Sequence, residues 1–337
     1  MHFIKGFLIM IFFAWCTAAT AQETQFTQKY ANRLSLNPAF AGLNHNWSVT
    51  FTHRNQWPTL NGSFITNQLA ADYSLPDRKS AIGLILQQDR AGIGGLQKLE
   101  AAAGYAYHAR LSSKFSFSGG LQLTVASLRV SLDNLVFGDQ LSDNGLVALT
   151  SAEANNFEPF TYASVTAGGL VFTDQLWVGL AVAHLNRPTY GFHETNRMPI
   201  RFTANAGYKF YIDSYETNNR LMEFSISPSV TYTQQEDFMR TDAGVYTIYT
   251  PLTLGLIYRG VPFTGGAEQD RALAVLAGLQ LKQFEIGFSH DIGLAGMSEL
   301  SGGANEITLT IKDIPLNRSN RGSSKNKFSK SIFCPAF

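Results

Sequence analysis

Charge is scarce in this chain. Only 15% of its 337 residues are Asp, Glu, Lys or Arg, well below the roughly 25% of ordinary soluble domains. The formal net charge of +1 gives no general surface for nucleic acid. Cysteine is nearly missing as well. Of the two present, Cys16 lies in the N-terminal leader and Cys334 near the C-terminus. Removal of the leader leaves a single thiol and excludes an intramolecular disulfide. Beyond the leader, no stretch approaches the about 18 uninterrupted apolar residues of a membrane helix.

The motifs of common enzymes are missing too. There is no HExxH, no CxxC and no close His/Cys metal spacing among the seven histidines. Ser289-His290-Asp291 holds triad residue types, but neighbours on a strand point to opposite faces and form no local relay. Gly92-Ile93-Gly94-Gly95 lacks the helix and the Gly-Lys-Ser/Thr ending of a phosphate loop. Asp133, Asp139, Asp143 and Glu153 share a long loop without the spacing of a calcium hand, and read as solvated acids. The expectation is a protein without catalytic residues, cofactor or metal.

What is present is a leader and a strand rhythm. Lys5, the apolar Phe7–Trp15 and the small residues Ala19-Thr20-Ala21 form a secretory signal peptide over residues 1–21. In Met222–Thr233 one row is Met222, Phe224, Ile226, Val230 and Tyr232, and the other is Glu223, Ser225, Ser227, Ser229, Thr231 and Thr233. A period of two makes one face greasy and the other polar. The pattern recurs at Phe115–Val125, Ile200–Phe210, Gln283–Asp291 and Glu306–Lys312, among about fourteen candidate strands.

The connections alternate in length. Tight ones fall at Pro76–Lys79, Arg110–Ser113, Thr173–Gln175, Thr250–Leu252 and Lys282–Gln283. Longer ones fall at Val130–Pro159, Arg187–Pro199, Val261–Asp270 and Leu294–Gly303. This is the asymmetry of an all-β, transmembrane antiparallel β-barrel with short periplasmic turns and longer external loops. An even strand number leaves both termini in the periplasm. The polar rows are rich in Ser, Thr, Gly and Asn rather than the many Lys and Glu of a soluble sandwich. Their scattered charges, Arg54, Glu100, Arg201, Lys209, Glu223, Arg259 and Glu285, are placed to pair across a confined lumen. Trp47, Trp57, Tyr105, Tyr107, Trp177, Tyr208 and Tyr258 lie near strand ends, as a headgroup-level girdle requires.

Two features resist the scheme. Pro228 interrupts a strand and requires a bulge or a lost ladder bond. Asp213–Asn219 reads as an over-long periplasmic turn. The resulting organisation is a signal peptide at 1–21, a periplasmic N-terminal segment at 22–45, the barrel at 46–312 and a basic periplasmic tail at 313–337.

Several strings carry a resemblance. Gln25-Phe26-Thr27-Gln28-Lys29-Tyr30 leads into Leu36-Asn37-Pro38-Ala39-Phe40-Ala41-Gly42, followed by Arg54-Asn55-Gln56-Trp57. With Leu254–Arg259, Ile286–Asp291, Gly303–Leu309 and the closing Cys334-Pro335-Ala336-Phe337, they resemble the PorP/SprF family of Bacteroidota outer-membrane proteins. One departure is Ala304-Asn305, where the family often shows Ser-His.

The resemblance implies a component of the type IX secretion system in the outer-membrane lipid, in some members linked to gliding motility. Its implied partners are the periplasmic ring and lipoprotein components and a secreted adhesin or cargo C-terminal domain. The motif-based candidates for partner contact or assembly are Asn37, Pro38, Gly42, Arg54, Trp57, Tyr258, Arg259 and Phe337. Two readings of Asn37–Gly42 stand side by side: turn chemistry guiding the chain into the first strand, or a segment that plugs the lumen or touches periplasmic partners. The alternative function is a passive pore or small-molecule transporter.

Overall fold

The computed structural model describes residues 23–43, 46–76, 79–92, 95–131, 138–142, 145–146, 151, 159–191, 196–217, 220–260, 271–281, 283–295, 297–312 and 334. The expected leader, Asp133, Asp143, Glu153, the loop at 261–270 and all of the basic tail except Cys334 lie outside them.

Alternation of apolar and small polar residues forms the strands β1 (Trp47–Gln56), β2 (Phe64–Ser74), β3 (Ser80–Ala91), β4 (Leu96–Arg110), β5 (Ser116–Val130), β6 (Phe160–Phe172) and β7 (Leu176–Ala183). They continue as β8 (Arg201–Tyr208, resuming at Phe210–Thr217), β9 (Arg220–Gln235), β10 (Phe238–Tyr249), β11 (Leu252–Arg259), β12 (Arg271–Gln280), β13 (Phe284–Ala295) and β14 (Ala304–Lys312). Each strand pairs antiparallel with its chain neighbours. The ring closes where β1 meets β14, from Ser48 opposite Lys312 to Gln56 opposite Ala304. A closed sheet leaves no unpaired edge, which is the condition for backbone in hydrocarbon.

The burial pattern follows the pleat. In β11, Leu252, Leu254 and Leu256 are exposed on the outside, while Thr253, Gly255, Ile257 and Arg259 are buried inside. Strand β1 likewise turns Ser48, Thr50, Thr52 and Arg54 inward. The protein is therefore inverted relative to a soluble domain, with Leu, Val and Phe facing out and Thr, Ser, Gln, Asp and Arg enclosed. No helix among the described residues is long and apolar enough to cross a membrane.

Strand ends agree with the sequence pattern to within a few residues, with two corrections. Asp213–Asn219 is no long turn: Phe210–Thr217 extends β8 and pairs with Arg220–Ile226 of β9, leaving a two-residue connection. Strand β10 begins at Phe238 rather than near residue 243, because Arg240 and Asp242 carry charges into the lumen and mask the alternation. Pro228 sits where the rhythm required relief. Gly207 pairs with Ser229 and Phe210 with Ile226, and the ladder between β8 and β9 is interrupted between those pairs, opposite the proline. A residue without an N–H is tolerated at such a break.

Short connections gather at one end of the barrel, between β2 and β3, β4 and β5, β6 and β7, β8 and β9, β10 and β11, and β12 and β13. The opposite end carries the long loops, together with the two short links at 92–95 and 236–237.

Candidate functional site

Residues 23–43, expected as a periplasmic segment, lie inside the barrel. They touch inward side chains of β1, β2, β5, β10, β13 and β14, strands on opposite walls. The chain enters beside the loop end and leaves at the short-turn end into β1. This plug is short of regular structure, with one helical turn at Arg33–Leu36 and a 3-10 turn at Pro38–Phe40. Its backbone polar groups must therefore be satisfied by the wall.

A charge knot does so at the loop-end half. Arg54 of β1 reaches Asp291 of β13 and Glu306 of β14, each at 3.0 Å. Arg259 of β11 reaches the same Asp291 at 2.5 Å. The Thr27 hydroxyl accepts from both guanidinium groups and donates to Asp291 at 2.8 Å. The Glu306 carboxylate accepts the Thr27 and Gln28 backbone N–H groups at 2.8 and 3.0 Å, and Arg259 donates to the Gln25 carbonyl. Glu306 and Arg259 are only 0% and 1% exposed. Charges so enclosed are tolerated when each is paired and its remaining hydrogen-bond positions are filled. Here the Thr27 hydroxyl, the Thr27 and Gln28 N–H groups and the Gln25 carbonyl of the plug fill several of them, while Nε of Arg54 and of Arg259 has no hydrogen-bond partner among the described residues.

The knot extends to Asp242 of β10, which holds Lys29 of the plug and Arg240 at 2.8 Å each. Burial pulls the Lys29 ammonium below its ordinary pKa, and Asp242 only partly restores it. Gly287 of β13 leaves room for the Gln28 amide and the Tyr30 hydroxyl. Burial holds that phenol well above its usual range.

At the short-turn half the contact is one of shape. The Asn37 carbonyl oxygen caps the 3-10 turn by accepting the Ala39 N–H at 2.9 Å. Its amide donates to the Gly169 and Leu180 carbonyls at 3.1 and 3.0 Å. Pro38 occupies the first position of the turn, where a missing N–H costs nothing. The wall opposite is glycine: a Cβ at Gly120 would lie 2.5 Å from the Ala39 nitrogen, and one at Gly168 would meet the Asn37 side chain. Gly42 has φ +67°, its N–H donates to Asp72 at 2.7 Å, and the same carboxylate takes Arg33 at 3.0 Å. Below, Phe40 and Leu43 pack with Leu170, Phe172, Trp177 and Cys334.

Asn37, Pro38, Gly42, Arg54 and Arg259 thus converge on one interface between plug and wall. The other candidates do not. Tyr258 is on the opposite face of β11 from Arg259 and half-buried there, since adjacent strand residues alternate. Trp57 stands above β1 at the loop end with φ +60°, its backbone N–H donating to the Gly303 carbonyl and its ring edge-on to Phe64 at 4.9 Å. Phe337 lies outside the described residues, although Cys334 three positions before it is buried. Trp177, expected in the girdle, points inward and is 2% exposed, because Gly207 beside it leaves the space.

Thr27, Gln28, Asp291 and Glu306 belong to strings already noted, but nothing local marked them as partners of Arg54. For the two acids the signal was an inward position on a polar strand row. Ser289 and Asp291 do face the lumen while His290 faces away to Asn305. Asp139 accepts from Ser151 at 2.7 Å. Among the described residues, no three His, Cys, Asp or Glu side chains gather as metal ligands.

Comparison with solved structures finds barrels of low similarity. A TodX deletion mutant described as a monoaromatic hydrocarbon channel is 14% identical, with 82% of this chain and 92% of that chain covered and a TM-score of 0.43. KdgM porin is 10% identical over 79% of this chain and 98% of that one, with a TM-score of 0.35. A mutant Rh. blastica porin is 9% identical over 80% and 99%, with a TM-score of 0.35. No curated protein sequence matches. The sequence profile for type IX secretion system membrane protein PorP/SprF, in contrast, matches residues 18–311. That span contains the plug, its glycine seat and every residue of the knot, and a secretion-system membrane family with this fold fits an outer-membrane location. The chain belongs to the PorP/SprF family of type IX secretion system membrane proteins.

Proposed function

We propose that this protein is a plugged, non-enzymatic barrel that supports export or surface display of secreted proteins, docking either cargo or the periplasmic machinery. The observation that carries the reading is the plug: its backbone bonds Glu306 and Arg259, and its Thr27 hydroxyl bonds Arg54, Arg259 and Asp291. A segment bonded in this way is a fixed part of the barrel and obstructs solute flow. In this reading the short-turn end faces the periplasm and the ring and lipoprotein components, the long loops face outward, and a secreted adhesin or cargo C-terminal domain is the exported partner. Gliding motility would follow where the exported protein is an adhesin.

The test is a deletion strain beside the purified barrel in planar bilayers. Loss of a surface protein in the strain, with no steady conductance from the wild-type barrel, agrees with the proposal. Normal secretion together with stable, solute-dependent conductance replaces it with a passive pore.

A further inference from the structure

At the loop end Glu23, where the described plug begins, faces Arg201, Lys98 and His184 of the wall. The Arg201 guanidinium bonds its carboxylate, His184 Nε2 lies 2.8 Å away and Lys98 Nζ 3.9 Å away. Lys98 is shared with Glu100 at 2.8 Å. These residues come from the start of β8, the residue after β7 and the start of β4, so three separate strands aim at one point.

Three further observations mark the point as built for an anion. His184 holds φ +61°, a conformation side chains other than glycine rarely adopt, and its Nδ1 is fixed by the Ser164 hydroxyl at 2.7 Å. Such backbone persists where the surroundings over-determine it, and it clusters at ligand sites. The Tyr162 hydroxyl is enclosed and lies within interaction range of Lys98, Glu100 and Glu23. Beside the carboxylate is a cavity of about 90 Å³ lined by Thr24, Gln87, Gln122, Thr124 and Thr166. Phe26, Ile85, Ala102 and Ala183 close its apolar side, and Glu100 lines it as the partner of Lys98, leaving room for more than the one side chain now inserted.

We propose that Lys98, His184, Arg201 and Tyr162 form a carboxylate-binding site on the barrel wall, which Glu23 occupies as an intramolecular ligand and which an external carboxylate replaces. The ligand class is a carboxylate, borne either by a small solute or by an acidic stretch of polypeptide entering at the loop end. Exchange costs little in charge, because one carboxylate takes the place of another. It frees the plug at Glu23 while the knot at Arg54 still holds the rest. The site stands on its own geometry and not on the secretion role.

The test is calorimetric titration of the full chain in detergent with citrate, with a hexaglutamate peptide, and with hexaglutamine as control. Glu23→Gln removes the internal competitor and is expected to tighten binding of a carboxylate probe by about tenfold or more. Arg201→Gln in the Glu23→Gln background is expected to abolish that gain. Should the double variant lack the heat-dependent gel shift of a folded barrel, Lys98→Gln takes its place with the same expectation. Citrate binding alone assigns a solute, hexaglutamate alone a polypeptide, and both the shared chemistry. No gain with either probe, a gain that survives loss of the cation, or equal binding of hexaglutamine overturns the site.

Discussion

Arg54 and Asp291 are 237 residues apart in sequence and meet at 3.0 Å, with the Thr27 hydroxyl bonded to both. The contact joins the first strand, the thirteenth strand and a segment that precedes the barrel. It ties closure of the wall to occupancy of the interior, and the predictions below follow from that link.

Replacing Arg54 by Met should leave Asp291 and Glu306 with too little positive charge in a closed space. Breaking a buried pair on one side costs about 3–5 kcal/mol. The expected result is a lower denaturant midpoint and current bursts in bilayers as the plug loosens. Arg54→Met with Glu306→Gln should lose less than the sum of the two single changes, because the partners act as one unit.

The glycine seat offers a change that leaves charge alone. Gly120→Val or Gly168→Val places side-chain atoms where Ala39 and Asn37 now lie. The strands should still pair and the gel shift of a folded barrel persist, while the plug becomes cleavable by added protease. Gly42→Ala should cost about 1–2 kcal/mol from its left-handed backbone alone, with the collision against Ala81 in addition.

Adjacent motif residues should behave as opposites. Arg259→Met should damage stability on the scale of Arg54→Met, since Arg259 reaches Asp291 and the plug backbone. Tyr258→Leu should stay within about 0.5 kcal/mol, as an outward substitution of one apolar surface for another. Equal effects from the two would remove the face assignment of β11.

Acid should release the plug at Glu23. Burial works to raise the Glu23 carboxyl pKa, but the Arg201 and Lys98 charges and the His184 contact hold it well below the ordinary 4.5. A folded-state value depressed below the unfolded one contributes stability that is fully present above the unfolded value and is lost as pH falls through the folded one. Protease access to the segment around Glu23 should therefore rise at acid pH in the wild type. In Glu23→Gln it should be raised already at neutral pH and show a flatter acid limb.

The barrel was legible because lipid imposes a rule on every strand: greasy out, polar in, no free edge. That rule placed most strand ends to within a few residues. It failed where the rule was relaxed. Phe210–Thr217 extends β8 along β9 alone, and Asp213 made it resemble a turn. Arg240 and Asp242 broke the alternation because, two residues apart on one strand, they pair along its lumenal face. Asn37, Pro38, Gly42, Arg54 and Arg259 were visible as members of strings. Their common role was not visible, because the strings are brought together only by closing the ring. Trp177 was misread since its inward position depends on the missing side chain of Gly207, on the neighbouring strand.

The position of residues 23–43 also favours an order of events during biogenesis. Lys29 and Arg33 sit deep in the bore, bonded to Asp242 and Asp72 on strands far apart. Once β1 has zipped to β14, furnishing an empty cylinder would mean hauling those ionised groups lengthwise through a narrow passage. Seating the leading segment before the seam is drawn shut avoids that passage, and the cylinder would then be wrapped around its own contents.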